Sequence, residues 1–375
     1  MIKAINVITD TNIGGAGKIL LSFLEKYDRE NFEVKVVIPT GSQLKERIEA
    51  LGVEAIELDG MADDSKGKDA ENKMLELFNK EKPDVVHTHA SLGARRAAKK
   101  YGKCAIVYTR HSVFDQPSWK KSFPFKQING HVNNSLADRV IAVSPAAKEN
   151  IVEVGVDADK IQVIFNGVAP AVVLSSEEKA AVREKWGVAQ DDFVCAIIAR
   201  LEEVKGHEYV LKAAKMLQDA GEKVKIIIAG NGSIETKLHD MAKSLGLNNV
   251  IFTGFIREIH EIENIMDVQL NASYGTEATS LSLLEGMSLG IPAIVSDFGG
   301  NPYVIETGVN GMVIPKRDEK PLYDAILKMR NDKELYEQCS EGSKKVFSEK
   351  FTVESMTRQI EDVYSELHAM KGGAR

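Results

Sequence analysis

The stretch IKAINVITDTNIGGAGKILLSFLEKY, Ile2 to Tyr27, opens on a β-branched run (2–8), passes through glycines at 14, 15 and 17, and closes on apolar residues at helical spacing (18–27). It reads as strand, glycine turn, helix. The pattern recurs outward from there. Strand-like runs stand at EVKVVI (33–38), DVVHTH (84–89), AIVYT (105–109), RVIAVS (139–144) and IQVIF (161–165), with a helical stretch at SPAAKENIVEV (144–154). Strand and helix in strict rotation predict an α/β fold with a doubly wound parallel sheet.

At Asn166 the rotation breaks into NGVAPAVVLSSEEK, where Ser175 and Ser176 are candidate caps for the next helix. It resumes with FVCAIIAR (193–200), VKIIIAG (224–230), VIFTG (250–254), VQLNAS (268–273) and PAIVSD (292–297). The expected architecture is therefore two Rossmann-like domains, 1–168 and 178–350, joined by a linker at 169–177. The tail from 351 to 375, FTVESMTRQIEDVYSELHAM and beyond, has helical periodicity and is expected to cross back to the first domain. Open α/β sheets bind ligands beyond the carboxyl ends of their strands, so the site is expected in a cleft between the two domains.

The chain has 375 residues, 43% of them hydrophobic, enough for two cores, and a net charge of −7 gives non-specific nucleic-acid binding no overall support. Cys104, Cys195 and Cys339 lie far apart without CxxC spacing, which argues against a disulfide framework and a zinc ribbon and fits a reducing cytosol. The N-terminus reads as a first strand rather than a secretory leader, and no run of about 18 apolar residues is present.

The segment NIGGAGK, Asn12 to Lys18, resembles a phosphate loop but matches neither the Walker A nor the GxGxxG register. Glycines at a strand-to-helix turn still let a ligand approach backbone amides, so Gly14 and Gly15 are candidates for a ligand-facing role. Arg200, at a strand's carboxyl end, and Lys205, just before Gly206 and a helix, make a candidate anion site for which a diphosphate is the natural guest. Solvated charge is the plain alternative, since Glu202 and Glu203 lie between them. In EATSLSLLE, Glu277 to Glu285, the carboxylates sit eight positions apart, roughly 12 Å in a helix. That exceeds the roughly 5–9.5 Å of paired glycosidase carboxylates. The helix carrying Glu285 is expected to begin near Ser280, so that amides around Thr279, Ser280 and Leu281 face the same anion as Arg200 and Lys205. His87 and His89 alternate on a strand, but no acid or cysteine cluster accompanies them, so a metal is not expected. His111 is better placed to hydrogen-bond a substrate, with a structural histidine as the alternative.

This constellation resembles the retaining glycosyltransferases of family 4, which have the GT-B fold, two Rossmann-like domains facing across a cleft, and use nucleotide sugars. The resemblance rests on the E-x7-E signature Glu277–Glu285, followed by Gly286, Gly290, Pro292, Gly299 and Gly300, and on Arg200, Lys205 and Gly206. Gly14, Gly15, the segment HTHA and His111 match in order and position. The resemblance implies that Arg200 and Lys205 hold the donor diphosphate, that Glu285 accepts the ribose hydroxyls, and that Glu277 contacts the donor sugar. It puts His111 beside that sugar, making Glu277, His111, Arg200 and Lys205 the catalytic set. Amides at Thr279–Leu281 would cradle phosphate, Gly15 would leave room for it, and Phe255 and Ile256 would flank the base. The donor is expected to be UDP-linked, the acceptor a glycan or a lipid-linked glycan, and neither metal nor other cofactor is expected. Ala278 and Tyr303 depart from residues common in the family, which bears on sugar identity more than on reaction class. A UDP-sugar 2-epimerase, a sugar phosphorylase or a non-catalytic nucleotide-sugar binder on the same scaffold stand as rivals.

Between Arg95 and Lys126 nine cations face one acid, Asp115. Within this basic run Trp119 and Phe123 interleave with Lys120 and Lys121, as interfacial anchors do. Together with Arg110 these are the candidates for acceptor or anionic-membrane contact, at the inner face of the cell membrane; a mobile loop with solvated lysines is the alternative.

Overall fold

A computed structural model of the chain describes residues 1–61 and 68–372. The last positions of the tail, 373–375, lie outside the described residues. The chain divides into two compact units, residues 1–168 with 352–375, and residues 169–351.

Unit 1 is built on strands β1 (Ile2–Ile8), β2 (Phe32–Pro39), β3 (Glu54–Leu58), β4 (Val85–His89), β5 (Ala105–Arg110), β6 (Arg139–Ala142) and β7 (Ile161–Val163). All pairings are parallel and the order is β3-β2-β1-β4-β5-β6-β7. Its interleaved helices are α1 (Gly15–Lys26), α2 (Leu44–Ala50), α3 (Lys68–Glu81), α4 (Leu92–Tyr101), α5 (Phe125–Ser135) and α6 (Pro145–Val152). On one face of the sheet Ile5, Val7, Val86 and Ile106 pack with Met74 and Phe78 of α3 and Ala94 and Ala97 of α4.

Unit 2 opens with α7 (Ser176–Lys185), whose first turn is closed by Ser175 and Glu178 in a reciprocal capping box. There follow β8 (Phe193–Ile198), α8 (His207–Asp219), β9 (Val224–Ala229), α9 (Glu235–Ser244), β10 (Val250–Gly254), α10 (His260–Ile265), β11 (Val268–Asn271) and α11 (Leu281–Ser288). The unit continues with β12 (Ala293–Ser296), α12 (Asn301–Val304), β13 (Gly311–Ile314), α13 (Glu319–Asn331) and α14 (Lys333–Lys350). Its six strands are parallel in the order β10-β9-β8-β11-β12-β13. The segment expected as a linker is stitched to this unit: Asn264 of α10 donates to Val172 O and accepts from Leu174 N, and Ala171 N donates to Ser288.

The last helix, α15 (Val353–Gly372), follows α14 in the chain but lies on the unit 1 sheet, against α1, β1, β4 and β5. Tyr364 is wholly buried there, edge-on to Phe23 and Phe32, and Lys371 reaches Cys104 O and Asp138. The face under α15 is therefore the second covered face of the unit 1 sheet. It carries Asn6, His87, His89 and Thr109 where the opposite face is aliphatic. The three cysteines are separate, buried free thiols, and no helix among the described residues is long and apolar enough to cross a membrane.

Candidate functional site

In each sheet the strand order reverses once, between β1 and β4 in unit 1 and between β8 and β11 in unit 2. Loops leaving the two strands at such a reversal diverge to opposite faces and open a crevice at their carboxyl ends. In unit 2 those are the loops 199–206 and 272–280, the ones that carry the sequence-predicted residues.

The two loops are bound to each other. Tyr274 N donates to Val204 O at 2.8 Å, and a Cβ on Gly206 would meet Ala272 O at 2.1 Å, so the loops touch backbone to backbone. Lys205, at the end of a short 3-10 turn, donates to Thr276 O at 3.1 Å and to Glu277 Oε2 at 2.9 Å. The same oxygen accepts from Asn271 Nδ2 and Ser273 Oγ, both at 3.2 Å. Lys205 and Glu277 thus form an ion pair with side chains only 15% and 8% exposed, a pairing that the sequence spacing does not reveal. Arg200 is exposed on the same loop.

Glu277 precedes α11, so it and Glu285 do not share a helix. Leu281 is the first helical residue, and Ser280, its N-cap, makes no side-chain cap hydrogen bond. The first-turn amides of α11 are thereby left without a side-chain cap, the arrangement that favours an anion. Ser282 Oγ donates to Ile198 O at 3.1 Å, which ties this helix start to the end of β8 beside Arg200. Glu285, half-buried, sits one turn further along α11.

The glycines that follow hold this geometry from behind. Gly286 lies against Gln269 of β11, where a Cβ would come within 2.1 Å of the amide nitrogen. At the β12–α12 turn Gly300 N donates to Glu277 O at 3.0 Å, and Gly299 has φ +60°, open to glycine. A Cβ on Gly300 would lie 1.6 Å from Ala278 O, so the glycine pair is the seat on which the Glu277 loop rests. Phe255 is 73% exposed after β10, while Ile256 packs into the core with Ile262 and Val182. Phe255 is thus the exposed member of the pair and Ile256 the half-buried one.

In unit 1, Gly14 is the N-cap of α1, and a Cβ on Gly15 would meet nothing within 4 Å. His111 follows β5 and bonds His89 Nδ1 through Nε2 at 2.8 Å; His89 Nε2 lies 3.2 Å from Asn6 Oδ1. His87 bonds Tyr364 OH at 2.7 Å and Thr109 at 2.6 Å. Burial drives all three rings toward the neutral form: His87 is pushed down to about 3, His111 to about 4, and His89 well below the usual imidazole range. The Arg110 charge adds to this at His111, and each ring opposes the protonation of its neighbours. Among the described residues no group of three or more His, Cys, Asp or Glu side chains is gathered as a metal site.

Arg110 ends β5, stacked over Phe114 at 4.6 Å. Trp119, Lys120 and Lys121 form a 3-10 turn next to α5; Trp119 is 52% and Phe123 81% exposed, with Phe125 and Ile128 also outward. The basic run is less free than its composition implies. Arg95 is buried over Tyr108, Lys100 pairs with Glu71 and Lys121 with Glu153. Sequence reasoning also misses Asn271, Ser273, Asn6 and Tyr364. The legible signal for Asn6 is a lone amide inside the apolar strand INVI.

Two family models match the chain in succession, "Glycosyltransferase Family 4" over residues 13–172 and "Glycosyl transferases group 1" over residues 178–346. A putative glycosyltransferase of Bacillus subtilis, EpsD, is 27% identical over 75% of this chain and 76% of its own length. The UDP-Gal:alpha-D-GlcNAc-diphosphoundecaprenol alpha-1,3-galactosyltransferase of Escherichia coli is 26% identical over 95% of this chain and 94% of its own. Among solved structures, HepE of Anabaena in complex with UDP superposes with a TM-score of 0.83 at 21% identity, covering 97% of this chain and 100% of that one. A glycosyltransferase of Rickettsia africae gives 0.85 at 20% identity, with 98% of each chain covered.

Proposed function

The chain belongs to the family 4 glycosyltransferases of GT-B fold, and from that premise we propose that it is a retaining, metal-independent hexosyltransferase. It takes its sugar from a UDP-linked donor and delivers it to a glycan or lipid-linked acceptor in cell-surface polysaccharide or glycolipid synthesis. The observation that carries the reading is the joining, at the unit 2 switch point, of the Arg200–Lys205 loop, the Glu277 loop and the start of α11.

Arg200, Lys205 and the α11 amides bind the diphosphate and oppose the charge that builds on it as the anomeric C–O bond breaks. Fixed cations and a helix start do the work a divalent ion does elsewhere. The acceptor oxygen bonds to the anomeric carbon on the face the diphosphate leaves, its proton passes to the departing phosphate oxygen, and the nucleoside diphosphate is released. Glu277, held by Lys205, Asn271 and Ser273, meets the sugar hydroxyls; Glu285 accepts the ribose hydroxyls, and Phe255 lies on the base. The UDP preference draws on the UDP-galactose donor in the name of the Escherichia coli relative.

Incubation with UDP-sugars and a lipid-linked acceptor tests this. UDP release stimulated by acceptor, an α-linked product by NMR and indifference to EDTA are expected. Interconversion of UDP-GlcNAc and UDP-ManNAc, or binding without turnover, refutes it.

The same reading places the protein on the cytoplasmic side of an anionic membrane, through Trp119, Lys120, Phe123, Phe125 and Lys126. Exposed aromatics beside lysines fit the headgroup region of such a surface. Trp119→Ala with Lys120→Gln is expected to abolish co-sedimentation with anionic vesicles at low salt. Binding that survives both changes refutes the assignment.

A further inference from the structure

Three histidines, an asparagine, a threonine and a tyrosine form a hydrogen-bonded row beneath α15. A row of neutral groups must distribute its protons consistently, and Asn6 is where the choice is made. An asparagine carboxamide and its 180° rotamer are nearly isosteric, so the hydrogen-bond pattern decides between them. With Oδ1 toward His89 Nε2 (3.2 Å) and Tyr364 OH (3.4 Å), Nδ2 is buried with no partner. That orientation strands two N–H donors in the core, at a cost of about 1–3 kcal/mol for an unpaired buried polar group. Turning the carboxamide over points the amide nitrogen at both His89 Nε2 and Tyr364 OH and strands only a carbonyl oxygen, the less demanding group.

The rest of the row then follows by donor and acceptor arithmetic. Tyr364 OH accepts from Asn6 and donates to His87 Nδ1, and His87 Nε2–H donates to Thr109 Oγ1. His89 Nε2 accepts, so its proton is on Nδ1 and goes to His111 Nε2 at 2.8 Å. His111 Nε2 is thereby used as an acceptor, and its proton must be on the outer nitrogen, Nδ1. Both rings hold the Nδ1–H tautomer, the less favoured one for imidazole in water.

We propose that Asn6 is a positioning residue that, acting through His89, selects the tautomer of His111 and leaves His111 Nδ1–H as a neutral hydrogen-bond donor to a substrate hydroxyl. The proposal rests on the transfer reading above together with the expectation, implied by the family resemblance, that His111 lies beside the donor sugar. It adds that His111 donates a hydrogen bond there, and that the buried α15 residue Tyr364 is part of the support.

The test is NMR of the full chain labelled with 15N-histidine at pH 7.5, where long-range proton correlations give each neutral ring's tautomer, His111 being assigned by its loss in His111→Gln. Nδ1–H on His89 and His111 is the expected result; Nε2–H on both overturns the proposal. The tautomers themselves are read on the unaltered chain, and the His111→Gln variant serves only to assign the signal. In Asn6→Asp the ionised carboxylate can only accept, so above the pH at which it is ionised both rings are expected to switch to Nε2–H and kcat/KM for transfer to fall by roughly 10-fold or more, about 1.4 kcal/mol. Unchanged tautomers, or a switch without loss of kcat/KM, overturns it. Absence of transfer in the unaltered enzyme, with Nδ1–H observed, would instead strike the transfer reading.

Discussion

Acidification from pH 7 to pH 5 should weaken unit 1 through its buried histidines. His87, His89 and His111 are held neutral by burial, with His87 pushed down to about 3 and His111 to about 4. In the unfolded chain each ring returns to its ordinary value near 6.5. Below that value the unfolded chain binds protons the folded one refuses, so stability is present above about pH 6.5 and is lost as pH falls toward 4. For a ring still neutral at pH 5 in the folded state, protonation of the unfolded state costs about 2 kcal/mol, against about 0.2 kcal/mol at pH 7. Three rings give on the order of 5 kcal/mol, comparable with the whole stability of a marginal domain. Unit 2 has one such ring, His207, buried and pushed down to about 4, and should lose about 2 kcal/mol. The chain has two tryptophans, Trp119 in unit 1 and Trp186 in unit 2, so Trp186→Phe and Trp119→Phe each leave one reporter. Urea unfolding followed by fluorescence should show the unit 1 midpoint falling by roughly 2 M between pH 7 and pH 5, and the unit 2 midpoint by less than half of that. A unit 1 midpoint that moves no further than that of unit 2 would refute the neutral-histidine account.

Lys205→Ala leaves the Glu277 carboxylate buried beside Asn271 and Ser273 without its counter-charge, and breaking such a pair costs about 3–5 kcal/mol. A lower melting temperature and a UDP-sugar Kd raised at least 10-fold by calorimetry are expected; unchanged donor binding would move the diphosphate site elsewhere. Glu285→Ala, on the half-buried face of α11, should weaken UDP and UDP-sugar alike without lowering the melting temperature by more than a few degrees, because it removes a ribose contact rather than a core group. Gly300→Ala puts a methyl 1.6 Å from Ala278 O, so the Glu277 loop must shift. Loss of transfer together with lost thermal stability is expected, and a variant active at the ordinary level would show that the loop does not depend on that seat.

The periodicity of the sequence was enough for the two sheets because parallel strands buried on both faces read as plain Val/Ile runs. Two strands escape it. β3, EAIEL, has an alternating charged pattern at the sheet edge, and β13, GMVI, is too short to stand out from the turn that leads into it. The site residues on the backbone turns, Arg200, Lys205, Gly299 and Gly300, are legible because strand ends and glycine pairs mark them. Their pairing is not: nothing in spacing tells that Lys205 meets Glu277 across 72 positions. The composition of the 95–126 run misleads in the opposite sense, since Arg95 has the charge of a surface residue but the burial of a core one.

The polar row under α15 shows why such a site is hidden from a linear reading. Asn6, His87, His89 and Thr109 stand on three adjacent strands in register, Asn6 opposite His87 and His89 opposite Thr109. Each alone is a polar residue in an apolar strand, a small expense in stability with no visible return. The cost is met only when Tyr364 arrives from a helix 358 positions after Asn6. A group that costs stability in the core and is satisfied by so distant a partner is better explained by what it does to His111 than by packing, since aliphatic residues on the opposite face of the same strands pack without it. Replacing His87 and Thr109 by valine together with Tyr364→Phe, which removes the hydroxyl that His87 accepts from, should therefore stabilise unit 1 at pH 5 while leaving the His89–His111 bond in place. A triple variant that is no more stable than the unaltered chain at pH 5 would show that the row is part of the fold's own cohesion.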